Sequence, residues 1–142
     1  MTGITATSAS WALPPVARSV VEARRHVRAA LKDWDLNALS DVAQLLTSEV
    51  VTNSLLHARS AIRLTVEHTN DGVRVAVTDE STVIPSVRPR SASATTGRGL
   101  LLLSRLADEW DTEVSEGGKT VWFTLKEGGD PWLGAEAEEV GR

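Results

Sequence analysis

The chain has no cysteine, one methionine and one phenylalanine, and none of its apolar runs approaches the roughly 20 residues needed to span a bilayer. The missing thiols exclude a disulfide framework and thiolate metal centres. The missing apolar run excludes a transmembrane helix. The opening "MTGITATSAS" has neither the basic nor the apolar region of a signal peptide, so the cytoplasm is the expected address. Positive charge is also scarce: 15 Lys and Arg stand against 19 Asp and Glu, a net charge of −4. That balance gives no general attraction to nucleic acid or to an anionic membrane, and neither is expected as a direct partner. What is present, 142 residues at 42% hydrophobic and 24% charged, describes one globular domain with a real core and no room for a second.

Residues 1–10 are small and polar and are expected to be loose, after which "WAL" offers a short strand stopped by Pro14 and Pro15. From Val16 the apolar residues Val16, Val20, Ala23, Val27, Ala30 and Leu31 recur at helical spacing among arginines, which predicts an amphipathic helix over 16–34. A second helix is expected over about 36–57. "AIRLTVEHT" and "GVRVAVTD" each alternate apolar and polar residues around "NDG" turn chemistry, the pattern of a β-hairpin. "ESTVIPSVRPRSASATT" carries two prolines and no usable period and reads as a mobile loop; "GRGLLLLSRLAD" then opens a short apolar helix. "EWDTEVSE", "GG" and "KTVWFTLKE" form a closing hairpin, and 127–142 is expected to be an acidic tail.

The segment "SEVVTNSLLHA" poses the functional question. At about 100° per residue, Leu39, Val42, Ala43, Leu46 and Val50 share one arc, and Glu49, Asn53 and His57 fall inside it. An ionised Glu is almost never buried without a partner, so this end of the stripe should meet water, a cation or a polar ligand, unless the face simply emerges from the fold. A carboxylate and an amide at i, i+4 point the same way: the amide suits Mg²⁺, and the carboxylate can hold a water or take a proton. Asp79, at the end of an apolar strand, could accept from an exocyclic amine. "TTGRG" offers glycine backbone and a helix start to a phosphate.

In this order the elements resemble the GHKL ATPases, which include gyrase, heat-shock protein 90, histidine kinases and MutL, and among them the short anti-sigma-factor serine kinases of bacteria. "SEVVTNSLLHA" is similar to their N-box, "VRVAVTD" to the first glycine-box strand, "TGRGLLLLSRLADEW" to the second and "GGKTVWFTL" to the closing strands. The resemblance implies a histidine kinase-like ATPase domain over 11–126 with a Bergerat-type α/β (α+β) two-layer sandwich: a mixed, mainly antiparallel sheet with helices on one face. It implies ATP and Mg²⁺ as cofactors. It makes Glu49 the catalytic base, Asn53 the Mg²⁺-binding amide, Asp79 the adenine-reading acid and Thr120 the strand hydroxyl near adenine. Gly97 and Gly99 become the phosphate-side hinge of a lid over 83–96, with Arg98 in reach of a phosphate, and Arg24 a partner-contacting residue of the first helix. His57 reads as a helix-end cation and His26 as an ordinary surface histidine.

The implied activity is phosphorylation of a serine on an antagonist protein by a regulator that also binds a sigma factor. Two departures keep a second class open. The first glycine box, normally D-x-G-x-G, reads Asp79-Glu80-Ser81-Thr82-Val83, and the lid arginine before the second box is replaced by Thr95 and Thr96, leaving Arg90 and Arg98 as the nearest substitutes. The alternative is a non-catalytic module in which nucleotide sets a lid conformation that a protein partner recognises. Whether a homodimer forms is left open by the sequence.

Overall fold

The structure is a computed structural model in which residues 7–81 and 95–128 are described, those of 95–100 for their backbone only. Nine elements follow in order: β1 (Ser8–Leu13), α1 (Arg18–Asp33), a 3-10 turn (Asn37–Leu39), α2 (Ser40–His57), β2 (Ile62–Thr69), β3 (Gly72–Asp79), α3 (Thr95–Leu106), β4 (Glu109–Ser115) and β5 (Gly118–Lys126). The strands form one sheet in the order β1-β2-β3-β5-β4, and every pairing is antiparallel. Helices pack on one side only, giving the expected α/β sandwich. The expectation of some parallel pairing is not met among the described strands: β4 runs in the direction of β3, but β5 separates them.

Period-2 alternation decides which face is buried. Leu64, Val66, Val73, Val75, Val77, Val121, Phe123 and Leu125 are all buried and face the helices. The opposite face meets solvent and is covered by polar pairs: Ser10 with Thr65 at 2.7 Å, Thr78 with Thr120 at 2.8 Å, and Arg74 lying 4.9 Å from the Trp122 ring centroid. Gly117 turns the last hairpin at a φ of 89°, in the left-handed region that favours glycine.

α1 presents Ser19, Ala23, Val27, Ala30 and Leu31 inward at helical spacing. It ends one residue before the expected limit. Asp35 takes a φ of 60°, its N–H donates to Lys32 O, and Leu36 N–H donates to Leu31 O at 2.7 Å. That pattern closes the helix as a glycine usually does, with an aspartate tolerated in the left-handed position. The second helix begins later than its periodicity suggests, because Asn37–Leu39 wind as a 3-10 turn first. α2 contacts α1, α3 and β3, so it is buried around much of its circumference.

His26 is half-buried and stacked on Trp11, with ring centroids 4.3 Å apart and 11° between planes, where the sequence suggested a surface residue. The stack ties α1 to the edge strand. Burial lowers the His26 pKa below 6.5, helped by Arg25 and opposed by Glu22. A base with a depressed folded-state pKa binds fewer protons than the unfolded chain does, so its contribution is complete above about pH 6.5 and is lost as pH falls through the folded pKa. The thermal midpoint should therefore drop between about pH 7.5 and pH 5.5, and the drop should be smaller in His26→Phe, which keeps a ring on Trp11 without the titration. Equal pH slopes in the two proteins would remove His26 as the cause.

Candidate functional site

The site is built where α2 crosses the sheet. Asn53 lies in the buried set of α2, 3% exposed, while Glu49, one turn earlier, is half-buried at its rim and His57 is exposed. The apolar stripe thus turns polar just where the helix reaches the end of its covered face. Asn53 Oδ1 is buried with no hydrogen-bond partner among the described residues. An orphaned amide oxygen in a dry position is costly unless a ligand completes it, and an amide oxygen is a suitable ligand for a hard cation. Among the described residues no group of three or more His, Cys, Asp or Glu converges, so a Mg²⁺ ion held by Asn53 would need the remaining ligands from elsewhere, such as a nucleotide's phosphates.

Asp79 continues the inward alternation of Val73, Val75 and Val77 to the last residue of β3. Its register partner on β5 is Lys119, which continues Val121, Phe123 and Leu125 in the same way. Both side chains are almost wholly buried, at 1% and 2% exposure, and Lys119 Nζ donates to Asp79 Oδ2 at 2.6 Å. The other carboxylate oxygen, Oδ1, accepts the Ser81 N–H at 2.9 Å, and Glu80 N–H donates to Ser60 Oγ at 3.2 Å. The chain leaving β3 is thereby tied down on both sides. Gly118 is needed because a Cβ there would collide with the Asp79 carbonyl.

Thr120 is placed differently from expectation. It faces the open side of the sheet beside Thr78, since one step along a strand reverses the side chain, and Lys119 occupies the place next to the Asp79 carboxylate. The missed residue was signalled: an inward lysine in line with Val121 and Phe123 can only be opposite Asp79. Arg24 is half-buried and donates from Nη1 to Ser48 Oγ at 3.2 Å, so it leans on α2 next to Glu49 instead of standing free. Gly97 and Arg98 fall inside the first turn of α3 and Gly99 just after it, because the helix begins at Thr95, two residues earlier than the glycine pair suggested. The Arg98 side chain, Arg88, Arg90 and residues 82–94 of the expected lid lie outside the described residues, as do 1–6 and 129–142. A cavity of about 360 Å³ opens by Arg63, Thr78, Asp79, Glu80 and the Ser115–Gly118 turn; Asp79 lines it, whereas Glu49 and Asn53 do not.

The family model of the histidine kinase-like ATPase domain covers residues 13–125. The chain belongs to this family. In fold it is similar to a solved structure of the RsbU and RsbW domains of a Mycobacterium tuberculosis protein, with a TM-score of 0.63 and 17% identity over 86% of this chain and 33% of that one. It is also similar to the histidine kinase domain of a blue-light activated histidine kinase from Erythrobacter litoralis, with a TM-score of 0.54 and 18% identity over 90% of this chain and 72% of that one. The domain thus spans a third of the mycobacterial chain. Among curated proteins, none matches it in sequence.

The buried pair yields a stability test. Removing either partner strands the other charge in a dry interior, so Asp79→Ala and Lys119→Ala should each cost about 3–5 kcal/mol in urea unfolding. Replacing both at once, as Asp79→Leu with Lys119→Met, should recover most of that loss. Additive losses in the double variant would show the two groups to be uncoupled.

Proposed function

We propose that this ATPase domain binds ATP with Mg²⁺ and acts as an anti-sigma-factor-type regulator, phosphorylating a serine of an antagonist protein and binding a sigma factor. The observation that carries the reading is the pairing of Glu49 at the rim of α2 with the orphaned Asn53 Oδ1 one turn on. In this reading Asn53 helps to hold Mg²⁺, which would supply charge neutralisation at the phosphates. Asp79 accepts from the exocyclic amine of adenine, and the backbone of Gly97 and Gly99, with Arg98, serves the phosphate end at the start of α3. Thr120, on the open face, would act on adenine only through its neighbours.

In this reading Glu49 takes the proton of the attacking serine. The serine oxygen forms a bond to the γ-phosphorus, the bond from that phosphorus to the β–γ bridging oxygen breaks, ADP leaves, and the hydroxyl proton passes to the Glu49 carboxylate. Arg24 offers its remaining guanidinium donors to a protein partner from α1, whose exposed Arg18, Arg25 and Arg28 give a basic surface on an acidic protein. No described helix is long and apolar enough to cross a membrane, which fits the proposal of a cytoplasmic regulator.

A second reading, a non-catalytic module that only responds to nucleotide, is favoured by one observation at the phosphate end: Thr95 and Thr96 stand where the resembled kinases carry a lid arginine. The two separate in one experiment, incubation with Mg·ATP and candidate antagonist proteins followed by mass analysis for phosphoserine. Transfer should be seen with the parent and should fall about 100-fold or more in Glu49→Gln, while calorimetry gives the two proteins the same nucleotide affinity. Nucleotide binding without transfer in the parent would establish the module. Absence of binding at millimolar nucleotide would end both.

A further inference from the structure

This inference rests on the nucleotide reading above and concerns how the base is recognised. Lys119 is the one buried cation among the described residues. An ammonium has three N–H donors, and Asp79 Oδ2 is the acceptor that the described residues supply to it. At 2% side-chain exposure the other donors have no bulk water to turn to. Asp79 likewise keeps acceptor capacity, because each carboxylate oxygen has two lone pairs and each accepts one bond from the described residues, Ser81 N–H on Oδ1 and Lys119 on Oδ2. The strand ends therefore present an acceptor and a charged donor side by side, fixed by the register of β3 on β5.

We propose that Lys119 is a specificity-determining residue of the base site: Asp79 accepts from the exocyclic amine of adenine while Lys119 donates to the neighbouring ring nitrogen N1. An edge with one donor next to one acceptor fills this pair. Guanine reverses this order: in the same pose its carbonyl oxygen would face the Asp79 carboxylate and its N1–H would face the Lys119 ammonium, two mismatched contacts. A charged donor in a dry setting also forms a stronger bond than the neutral hydroxyl of a threonine would, which makes the contact one that discriminates.

The test uses the full chain and two probes, Mg·ADP and Mg·1-deaza-ADP, in which a C–H replaces N1. The parent should bind ADP about tenfold more tightly or better, the scale of a lost hydrogen bond to a charged group. In Lys119→Met, which keeps the length of the side chain and removes its donors, the two ligands should bind equally. Should that variant fail to fold, the comparison in the parent decides the matter alone. Equal affinities in the parent overturn the proposal, as does a preference that survives in Lys119→Met or an ADP affinity that rises there, which would make Lys119 an obstruction. Failure of both diphosphates to bind at millimolar concentration takes down the nucleotide reading and this inference with it; binding without discrimination takes down this inference alone.

Discussion

Burial of the sheet's inner face beneath α2 is the constraint on which the rest of the molecule depends. A strand places every second residue on that face, and a helix lying across it covers it with residues three and four apart, so both patterns must stay apolar wherever they overlap. They do so through Leu46, Val50, Val75, Val77, Val121 and Phe123. Because α2 is also held by α1 and α3, it has little solvated surface on which to carry polar groups without consequence. Asn53 is buried for that reason, and its oxygen, unpartnered among the described residues, is a cost that these residues do not repay.

Where the inward alternation of β3 and β5 runs out, charges take the place of aliphatic side chains. Asp79 and Lys119 each lose several kcal/mol of hydration on burial, and their attraction at 2.6 Å offsets the loss without turning the pair into a strong stabiliser. A leucine and a methionine at these positions would come close to the same stability. The presence of the pair where the inward alternation of β3 and β5 ends therefore calls for an explanation other than stability, and a ligand's polar edge supplies one.

The strands were readable because their alternation and their turns agreed, and α1 because its stripe was narrow. The errors have separate physical causes. The end of α1 depends on an aspartate in a left-handed conformation, a role for which glycine is the usual signal. The 3-10 turn before α2 keeps the apolar spacing of a helix and cannot be told from one by period. Thr120 was assigned by its place in a motif, whereas the alternation of its own strand, which puts it outward and Lys119 inward, held the better information. The bond from Arg24 to Ser48 and the stack of His26 on Trp11 join elements distant in sequence, and nothing in the local pattern marks either. Glu49 and Asn53 were legible because carboxylate and amide on a buried helical face contradict the pattern around them.

The two functional readings differ at one end of the site only. Contacts to the base are far from the reacting bond and change little as it breaks, so whatever Asp79 and Lys119 contribute is shared by ground state and transition state and acts on affinity. In the catalytic reading Glu49 is different, since a proton acceptor at the γ-phosphate end would stabilise the transition state alone and act on the rate. The glycines missing after Asp79 bear on the first quantity. Ser81 and Glu80 do not open a backbone cradle; they spend their N–H groups on the Asp79 carboxylate and on Ser60, which orients that carboxylate before any base arrives. A preorganised acid can compensate in affinity for a lost backbone contact, but it adds nothing to the chemistry at the far end. A site with an intact Glu49 and Asn53 and an altered base end is therefore consistent with retained phosphoryl transfer at a changed nucleotide affinity, and a module without catalysis requires a further loss on the γ-phosphate side.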